Sequence, residues 1–327
     1  MPLLLSEADV RALLSIDDLI DAMERALTQY STGGARQPLR SVLEIAPHHG
    51  LMGVMPAYVG GDPDMLGAKL VTVYHTNAAR NLPTHLATIV LLDPATGALQ
   101  AVVDGRYITE ARTAAVSAAS ARHLARDDAR VLAVLGAGVQ ARSHIEAIDR
   151  VRRLSEIRVW GPTRARVDQL IADLKPHIGA AMVASSSASE AVSGADIIAL
   201  VTASREPVLR RQDVANGTHI CAVGACRASE REMETDVLRD ARVFVDSRLG
   251  AMAEAGDLVI PIRERAFAES HIAGELGELF AGTVIGRRDA SEITIFKSLG
   301  MAVEDVAAAR LAYERAIGRG LGRGFVL

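Results

Sequence analysis

Gly136 and Gly138, with Ala141 three positions on, are the residues whose types and spacing most directly imply chemistry. They follow the apolar run Val131-Leu-Ala-Val-Leu135, which reads as a buried strand, and precede a stretch that reads as a helix. In such a junction the first glycine makes the tight turn and the second admits a pyrophosphate. The small third residue lets helix and strand pack closely. The helix N-terminus, with unpaired N–H groups and partial positive charge, then faces the phosphates. The spacing predicts a dinucleotide site at Gly136, Ala137, Gly138, Val139 and Gln140, and hydride chemistry carried by a nicotinamide. Glycine-rich turns also serve ordinary strand–helix junctions; the strand and helix around this one favour the ligand.

Which nicotinamide cofactor binds is read from the end of the next strand, Ile157-Arg-Val-Trp160. An NAD site usually carries Asp or Glu there to accept from the ribose hydroxyls. Here Trp160-Gly161-Pro162-Thr163-Arg164-Ala165-Arg166 contains no acid, and Glu156 stands at the other end. A carboxylate would repel a 2′-phosphate, whereas Thr163, Arg164 and Arg166 could hydrogen-bond one. The turn predicts NADP, with NAD as the other possibility and a solvated loop of surface arginines as the reading without function.

The surrounding pattern supplies the scaffold. A helix is predicted over 165–174, with Val167, Leu170, Ile171 and Leu174 on one face. Then come Ala181-Met-Val183, a short helix around 189–192, the strand 195–201, and two further apolar runs at 218–223 and 242–245. Strands alternating with helices predict an α/β domain, a Rossmann-type doubly wound parallel sheet covered on both faces. The first third differs. Ser15 caps a helix whose face is Leu19, Met23, Ala26, Leu27 and Tyr30. Strand-like pieces follow at 41–45, 51–55, 67–74 and 88–92, and Asp93–Gly97 turns into a hairpin strand over 98–103. An alanine-rich helix capped by Thr109 is expected over 109–124, and an amphipathic helix from Ser298 to about Ile317. Residues 1–124, completed by a C-terminal helix within 303–327, form an α+β substrate-binding and dimerisation domain. Residues 125–302 form the dinucleotide domain.

The 327 residues exceed one ordinary core and suit two domains. Net charge is −4 and aromatics are scarce, so no basic stripe or stacking platform points to nucleic acid. No apolar stretch is long enough to span a membrane, and the N-terminus does not read as a signal peptide. Two cysteines, Cys221 and Cys226, make no disulfide framework, and the nine histidines show no metal-ligand spacing. A cytoplasmic enzyme without a metal is expected.

Several blocks occur in one order: Gly53–Tyr58, Ala68–Val71, Ile108–Ser117, Leu135–Gln140, Ala222–Ala225, Glu275–Glu278 and Phe296–Asp305. Together they resemble the ornithine cyclodeaminase/μ-crystallin family over nearly the whole chain. The resemblance implies a homodimer formed through the first domain, a Rossmann second domain and chemistry at an amino- or imino-acid α-carbon. It implies that Arg40, Lys69 and Arg112 hold the substrate carboxylate, with Lys69 also catalytic and His85 near the substrate. For the cofactor it implies Thr84, Arg112, Thr113, Gly161, Thr163, Arg164, Val201, Thr202, Ala203, Val223, Gly224, Lys297 and Ser298, besides the glycine turn. A guanidinium can grip a carboxylate with two parallel bonds, and a lysine adds a point charge or a proton. Each cation could instead be a surface charge, least readily Lys69 within Gly67-Ala-Lys-Leu-Val-Thr-Val73. Arg112, in the first turn of the expected helix, is disfavoured by the macrodipole, so a nearby anion would compensate it.

The departure lies at Gly53 and Cys226, where cyclodeaminases resemble this chain but carry acids. A carboxylate there would attract an ammonium, take protons and activate water; glycine and cysteine do neither. The loop Val223-Gly-Ala-Cys-Arg-Ala-Ser-Glu-Arg-Glu232 is more similar to the ketimine reductase branch, although Ala228-Ser229 departs from the proline–acid pair often found there. The expected function is reduction of cyclic α-imino acids, Δ1-pyrroline-2-carboxylate or Δ1-piperideine-2-carboxylate, with Cys226 lining the pocket rather than acting as a covalent nucleophile. An ornithine cyclodeaminase-type lyase and a non-enzymatic small-ligand binder are the other readings.

Overall fold

Alternation of apolar residues along successive strands builds the first sheet. The computed structural model describes residues 1–326. Its strands here are β1 (Leu3–Leu5), β2 (Ala35–Arg36), β3 (Ser41–Ile45), β4 (Gly50–Val59), β5 (Met65–Tyr74), β6 (His85–Leu92) and β7 (Leu99–Asp104). Met55, Ala57 and Val59 on β4, Ile89 and Leu91 on β6, and Ala101 and Val103 on β7 are buried. This is the period-two pattern of a sheet with one covered face. The order is β16-β1-β7-β6-β5-β4-β2, with β3 pairing β4 and a terminal strand β16 (Arg323–Gly324) on the edge. Asp93 accepts from the Ala95 and Thr96 N–H groups and fixes the β6–β7 turn. Across the sheet Lys69 pairs with Met55 and Ile89, so its side chain shares their buried face.

The covering elements are the helices Ile16–Ser31 and Ala302–Arg319. The second packs against β4, β5 and β6 and against the first helix. It starts later than the sequence pattern suggested. Residues 298–301 are not helical, and Gly300 has φ +78°. It ends at Gly320, which is left-handed as a C-cap glycine should be.

The second sheet is wholly parallel, in the order β10-β9-β8-β11-β12-β15-β13-β14. Its strands are β8 (Val131–Leu135), β9 (Glu156–Trp160), β10 (Ala181–Ala184), β11 (Ile197–Leu200), β12 (His219–Ala222), β13 (Ala241–Val245), β14 (Ile272–Glu275) and β15 (Ile293–Lys297). Leu132, Val134, Ile197 and Ala199 enter one apolar cluster, and Ala133, Leu135, Ile198 and Leu200 another. Burial on both faces produces the continuous apolar runs seen in the sequence. The order reverses at β8, the switch point at which dinucleotides lie. The sequence reading missed β14 and β15, since Ile293-Thr-Ile-Phe-Lys297 runs directly into the segment assigned to a helix.

The chain divides into two compact units, residues 1–112 with 300–327 and residues 113–299. The expected boundary after residue 124 is thus displaced into the helix Arg106–Leu124. The cause lies in its second half: Ser117 hydrogen-bonds His144, Ser120 meets His219, and Ala121 joins the core of the second unit. The helix also starts at Arg106, with the Asp104 carboxylate accepting from the Arg106 and Tyr107 N–H groups, not at Thr109. Arg112 therefore sits in the second turn, and the macrodipole argument for it falls away.

Asp246, after β13, is buried and accepts from the Ser247 N–H at 2.8 Å and the Leu299 N–H at 2.6 Å. It ties the ends of β13 and β15 together. Asp246→Ala should leave two buried donors unsatisfied and cost at least about 1.5–3 kcal/mol, the value of one charged hydrogen bond. Trp160, the sole tryptophan, lies in this unit. Its fluorescence in urea should show a lowered midpoint, and an unchanged midpoint would contradict the role given to Asp246.

Candidate active site

In the first unit three cations gather around two acids. Lys69 Nζ lies 2.6 Å from Asp305 Oδ2, and Arg112 Nε donates to Asp305 Oδ1 at 2.9 Å. Arg112 Nη1 donates to Glu304 Oε2 at 2.6 Å. Arg40 Nη2 donates to the Gly300 carbonyl at 3.0 Å. Gly300 is needed twice, since its φ is positive and a Cβ there would collide with the Arg112 guanidinium. Lys69, Arg112, Glu304 and Asp305 are all buried. With ordinary charges, these five side chains leave one positive charge over, as a monoanionic carboxylate requires. Burial lowers the Lys69 pKa, Asp305 pulls it back, and Arg112 and Arg40 push it down, to about 8. An ammonium with that pKa is a ready proton donor near neutral pH.

Glu304 and Asp305 were given no role in the sequence reading. The available signal was two adjacent acids inside Met301-Ala-Val and Val306-Ala-Ala-Ala309, an otherwise apolar stretch. They supply the anion expected near Arg112, so that anion is not the substrate alone. Arg112 is oriented by protein carboxylates before any ligand arrives.

Gly53 pairs with Val71 and therefore lies on the Lys69 face of the sheet, two residues along. An acid at this position would project to the same side as the clamp. His85 opens β6 opposite Val73, on that face but four residues from Ile89, the partner of Lys69. Its Nδ1 is 3.1 Å from the Thr84 hydroxyl. Burial, His75 and the charge of Lys69 lower its pKa. His48 and His49 lie in an exposed turn, as expected.

In the second unit the glycine turn has the geometry a diphosphate needs. Gly136 has φ +130°, and a Cβ would meet the Val201 carbonyl at 2.6 Å. Gly138 caps the helix Val139–Val151 without a side-chain acceptor, and the space where its Cβ would stand is open within 4 Å. Gln140 Oε1 is buried without a hydrogen-bond partner. An uncapped helix start with room in front of it fits an anion. At the end of β9, Thr163 caps the helix Arg164–Leu174 without a side-chain bond, and exposed Arg164 pairs with Asp168 at 2.8 Å. Glu156 begins β9 and pairs with Arg158, so it stays at the far end of the strand.

Val201, Thr202 and Ala203 follow β11, Val223 and Gly224 follow β12, and Ser298 follows β15, all at carboxyl strand ends. Thr113 is buried in its helix. The Lys297 side chain differs from expectation. Its ammonium is fully buried, 3.0 Å from Asp257 Oδ2, and donates to the Gly224 carbonyl. It supports the β12 loop from within rather than presenting a charge to a ligand. Cys226 is exposed, follows Ala225 at φ +53°, and donates its thiol hydrogen to the Val223 carbonyl. Glu275 and Glu278 cap the helix Leu276–Phe280, and Glu275 also accepts from the Arg248 N–H.

Comparison with known proteins agrees with this arrangement. The family model described as the ornithine cyclodeaminase/mu-crystallin family matches residues 1–320. Ketimine reductase mu-crystallin of Mus musculus is 41% identical over 317 residues, covering 96% of this chain and 97% of its own length. The structure of Thermococcus litoralis Δ1-pyrroline-2-carboxylate reductase, in complex with NADH and L-proline, is similar with a TM-score of 0.96. It is 37% identical and covers 99% of this chain and 100% of that one. An archaeal alanine dehydrogenase dimer with bound NAD has a TM-score of 0.94 at 31% identity, covering 99% of both chains. With the Lys69–Asp305–Arg112 cluster in the first unit and the glycine turn in the second, the chain belongs to the ornithine cyclodeaminase/mu-crystallin family.

Proposed function

We propose that this protein is a NAD(P)H-dependent reductase of cyclic α-imino acids, taking Δ1-pyrroline-2-carboxylate to proline and Δ1-piperideine-2-carboxylate to pipecolate. The observation that carries the reading is the clamp, a buried and charge-balanced cluster of Lys69, Arg112, Glu304 and Asp305 to which half-buried Arg40 adds one positive charge, with no acid at Gly53 or Cys226. A cyclodeaminase needs groups that receive an ammonium and handle water; a reductase needs a carboxylate held and a C=N carbon presented. The names of the mouse and Thermococcus relatives support the same class.

When bound, the nicotinamide supplies the hydride that adds to the imine carbon. The chain does the rest by positioning and electrostatics. Arg40 and Arg112 oppose the substrate carboxylate, with Arg112 held in place by Glu304 and Asp305. Lys69 adds charge and gives its Nζ proton to the imine nitrogen as the hydride arrives, so the amine forms without net charge transfer from solvent. Cys226 takes the part of a small polar group in this reading, not of an acid.

NADPH is the preferred reductant in this reading, because the β9 turn offers Thr163 and Arg164 and no carboxylate. A homodimer formed through the first unit fits exposed apolar side chains there, Val42 and Leu43 on β3 and Leu86 on β6. Two cysteines, one buried and one exposed, fit a reducing compartment such as the cytoplasm. No helix among the described residues is long and apolar enough to cross a membrane.

Following NADPH absorbance with five- and six-membered cyclic imino acids should show turnover, while ornithine should release little ammonia. Cys226→Ser should retain substantial reductase activity, and Cys226→Asp should lose much of it by repelling the substrate carboxylate. Abolition of activity in folded Cys226→Ser would make the thiol essential and sink the mechanism.

Cofactor preference is tested separately. kcat/KM should be higher with NADPH than with NADH, and Gly161→Asp should shift the ratio towards NADH. The new Cβ would meet Ala137 Cβ at 3.3 Å, so the turn must give slightly. Equal or better efficiency with NADH in the unmodified protein would refute the preference.

Removing one charged hydrogen bond typically costs about 1.5–3 kcal/mol, or roughly 10–150-fold. Arg40→Ala and Arg112→Ala should lower kcat/KM on that scale. Lys69→Ala should do more, since it removes the proton donor as well. Lys69 must be protonated to donate, so kcat/KM should fall as pH rises through about 8, and that limb should vanish in Lys69→Ala. Full activity in a folded Lys69→Ala protein would take the lysine out of the reaction.

A further inference from the structure

Behind the loops that follow β11 and β12 lies a buried carboxylate that the reaction above does not use. Glu232 is fully buried. Its Oε1 accepts from the Thr202 N–H at 2.9 Å and from the Thr202 hydroxyl at 2.5 Å. Its Oε2 has no hydrogen-bond partner, and the carboxyl group fills the space a Cβ on Gly224 would need. One carboxylate thus holds the β11 loop by two hydrogen bonds and the β12 loop by direct packing. The Glu232 N–H is itself fixed by Asp257 Oδ1 at 2.8 Å, and Asp257 Oδ2 faces the Lys297 ammonium, which holds the Gly224 carbonyl.

We propose that Glu232 is a positioning residue for the nicotinamide end of the cofactor, its ionised carboxylate locking the Thr202 loop to the Gly224 loop. The proposal rests on the cofactor reading above, which places those two loops at the dinucleotide site. A buried charge is costly unless partnered. A glutamate in a void between two loops is therefore a poor choice for mere filling, where an apolar side chain would serve better. The charged groups acting on it are Lys297 from β15 and Asp257 from the helix Gly256–Arg263. Burial raises the Glu232 pKa, Lys297 and the Thr202 hydroxyl hold it down, and Asp257 adds to the rise, giving about 7. The lock thus weakens as pH falls through neutrality. The protonated acid is a poorer acceptor for Thr202, and Oε2–H finds no acceptor.

Binding of NADH to the full-length protein, followed by nucleotide fluorescence between pH 6 and 8.5, tests this. NADH lacks the 2′-phosphate, whose own titration would obscure the profile. The wild-type Kd should rise as pH falls through about 7. Glu232→Gln should weaken NADH at least about fivefold at pH 8, within what a lost charged hydrogen bond is worth, and flatten the profile. Thr202→Val removes a donor that stabilises the ionised acid, so the midpoint should move to higher pH; Thr202→Ser should restore it. A folded Glu232→Gln protein with wild-type Kd and profile overturns the proposal. If that variant fails to fold, an unmoved midpoint in Thr202→Val does so. Failure of the unmodified protein to bind either NADH or NADPH would instead sink the cofactor reading itself.

Discussion

The carboxylate of Asp305 is the group on which the first unit's chemistry depends. Each of its oxygens faces a different cation, Oδ2 the Lys69 ammonium and Oδ1 the Arg112 guanidinium. The lysine comes from the middle of β5, the arginine from the helix after β7, and the aspartate from the C-terminal helix that covers the sheet. A bridge of this kind is not chosen for stability, since desolvating three charges costs more than good apolar packing would. Its effect is geometric. Without Asp305, two like charges buried side by side would repel, and either the lysine would deprotonate or the arginine would swing towards water. With it, and with Glu304 on the far side of the guanidinium, both donors stand fixed and their charges are balanced.

The second unit repeats the tactic with the signs exchanged. Lys297 is paired with Asp257 and holds the loop after β12, while Glu232 holds the loop after β11. The glycine turn offers backbone N–H groups in place of side chains. One end of the dinucleotide site is thus shaped by φ angles and absent side chains, and the other by buried charge. The first arrangement tolerates no Cβ at Gly136; the second tolerates none at Gly224, for a different reason, because a carboxyl group already occupies the space.

Charge arithmetic also separates the chemistries open to this fold. Gly53 faces the same side of the sheet as Lys69, so an acid there would cancel the excess positive charge and favour an ammonium over a bare carboxylate. At Cys226 an acid would add a negative charge to those of Asp257 and Glu232 around the buried lysine. An imino acid's nitrogen needs only one proton and its carboxylate a cation, so neither position calls for an acid in a reductase.

Much was legible along the chain because it depends on local period and turn chemistry. The alternating strands, the parallel α/β pattern and the glycine turn follow from residues within a few positions of one another. So does the β9 turn without an acid. The sequence reading erred where local patterns were ambiguous: Ile293–Lys297 merged with the following helix, and Asp104, not Thr109, proved to start the helix carrying Arg112. It was silent where pairing is long-range. Arg112 and Asp305 are 193 residues apart, and nothing between them says that they meet. Glu304, Asp305, Asp257 and Glu232 look like surface acids on a composition count, because an acid's role is set by whether a cation reaches it in a dry interior. Lys297, expected at the ligand, was turned inward by Asp257 for the same reason. Sequence determined which segments could bind a nucleotide and which positions lacked an acid. Tertiary structure alone decided which charges are partnered, because burial and Coulomb attraction act through space and not along the chain.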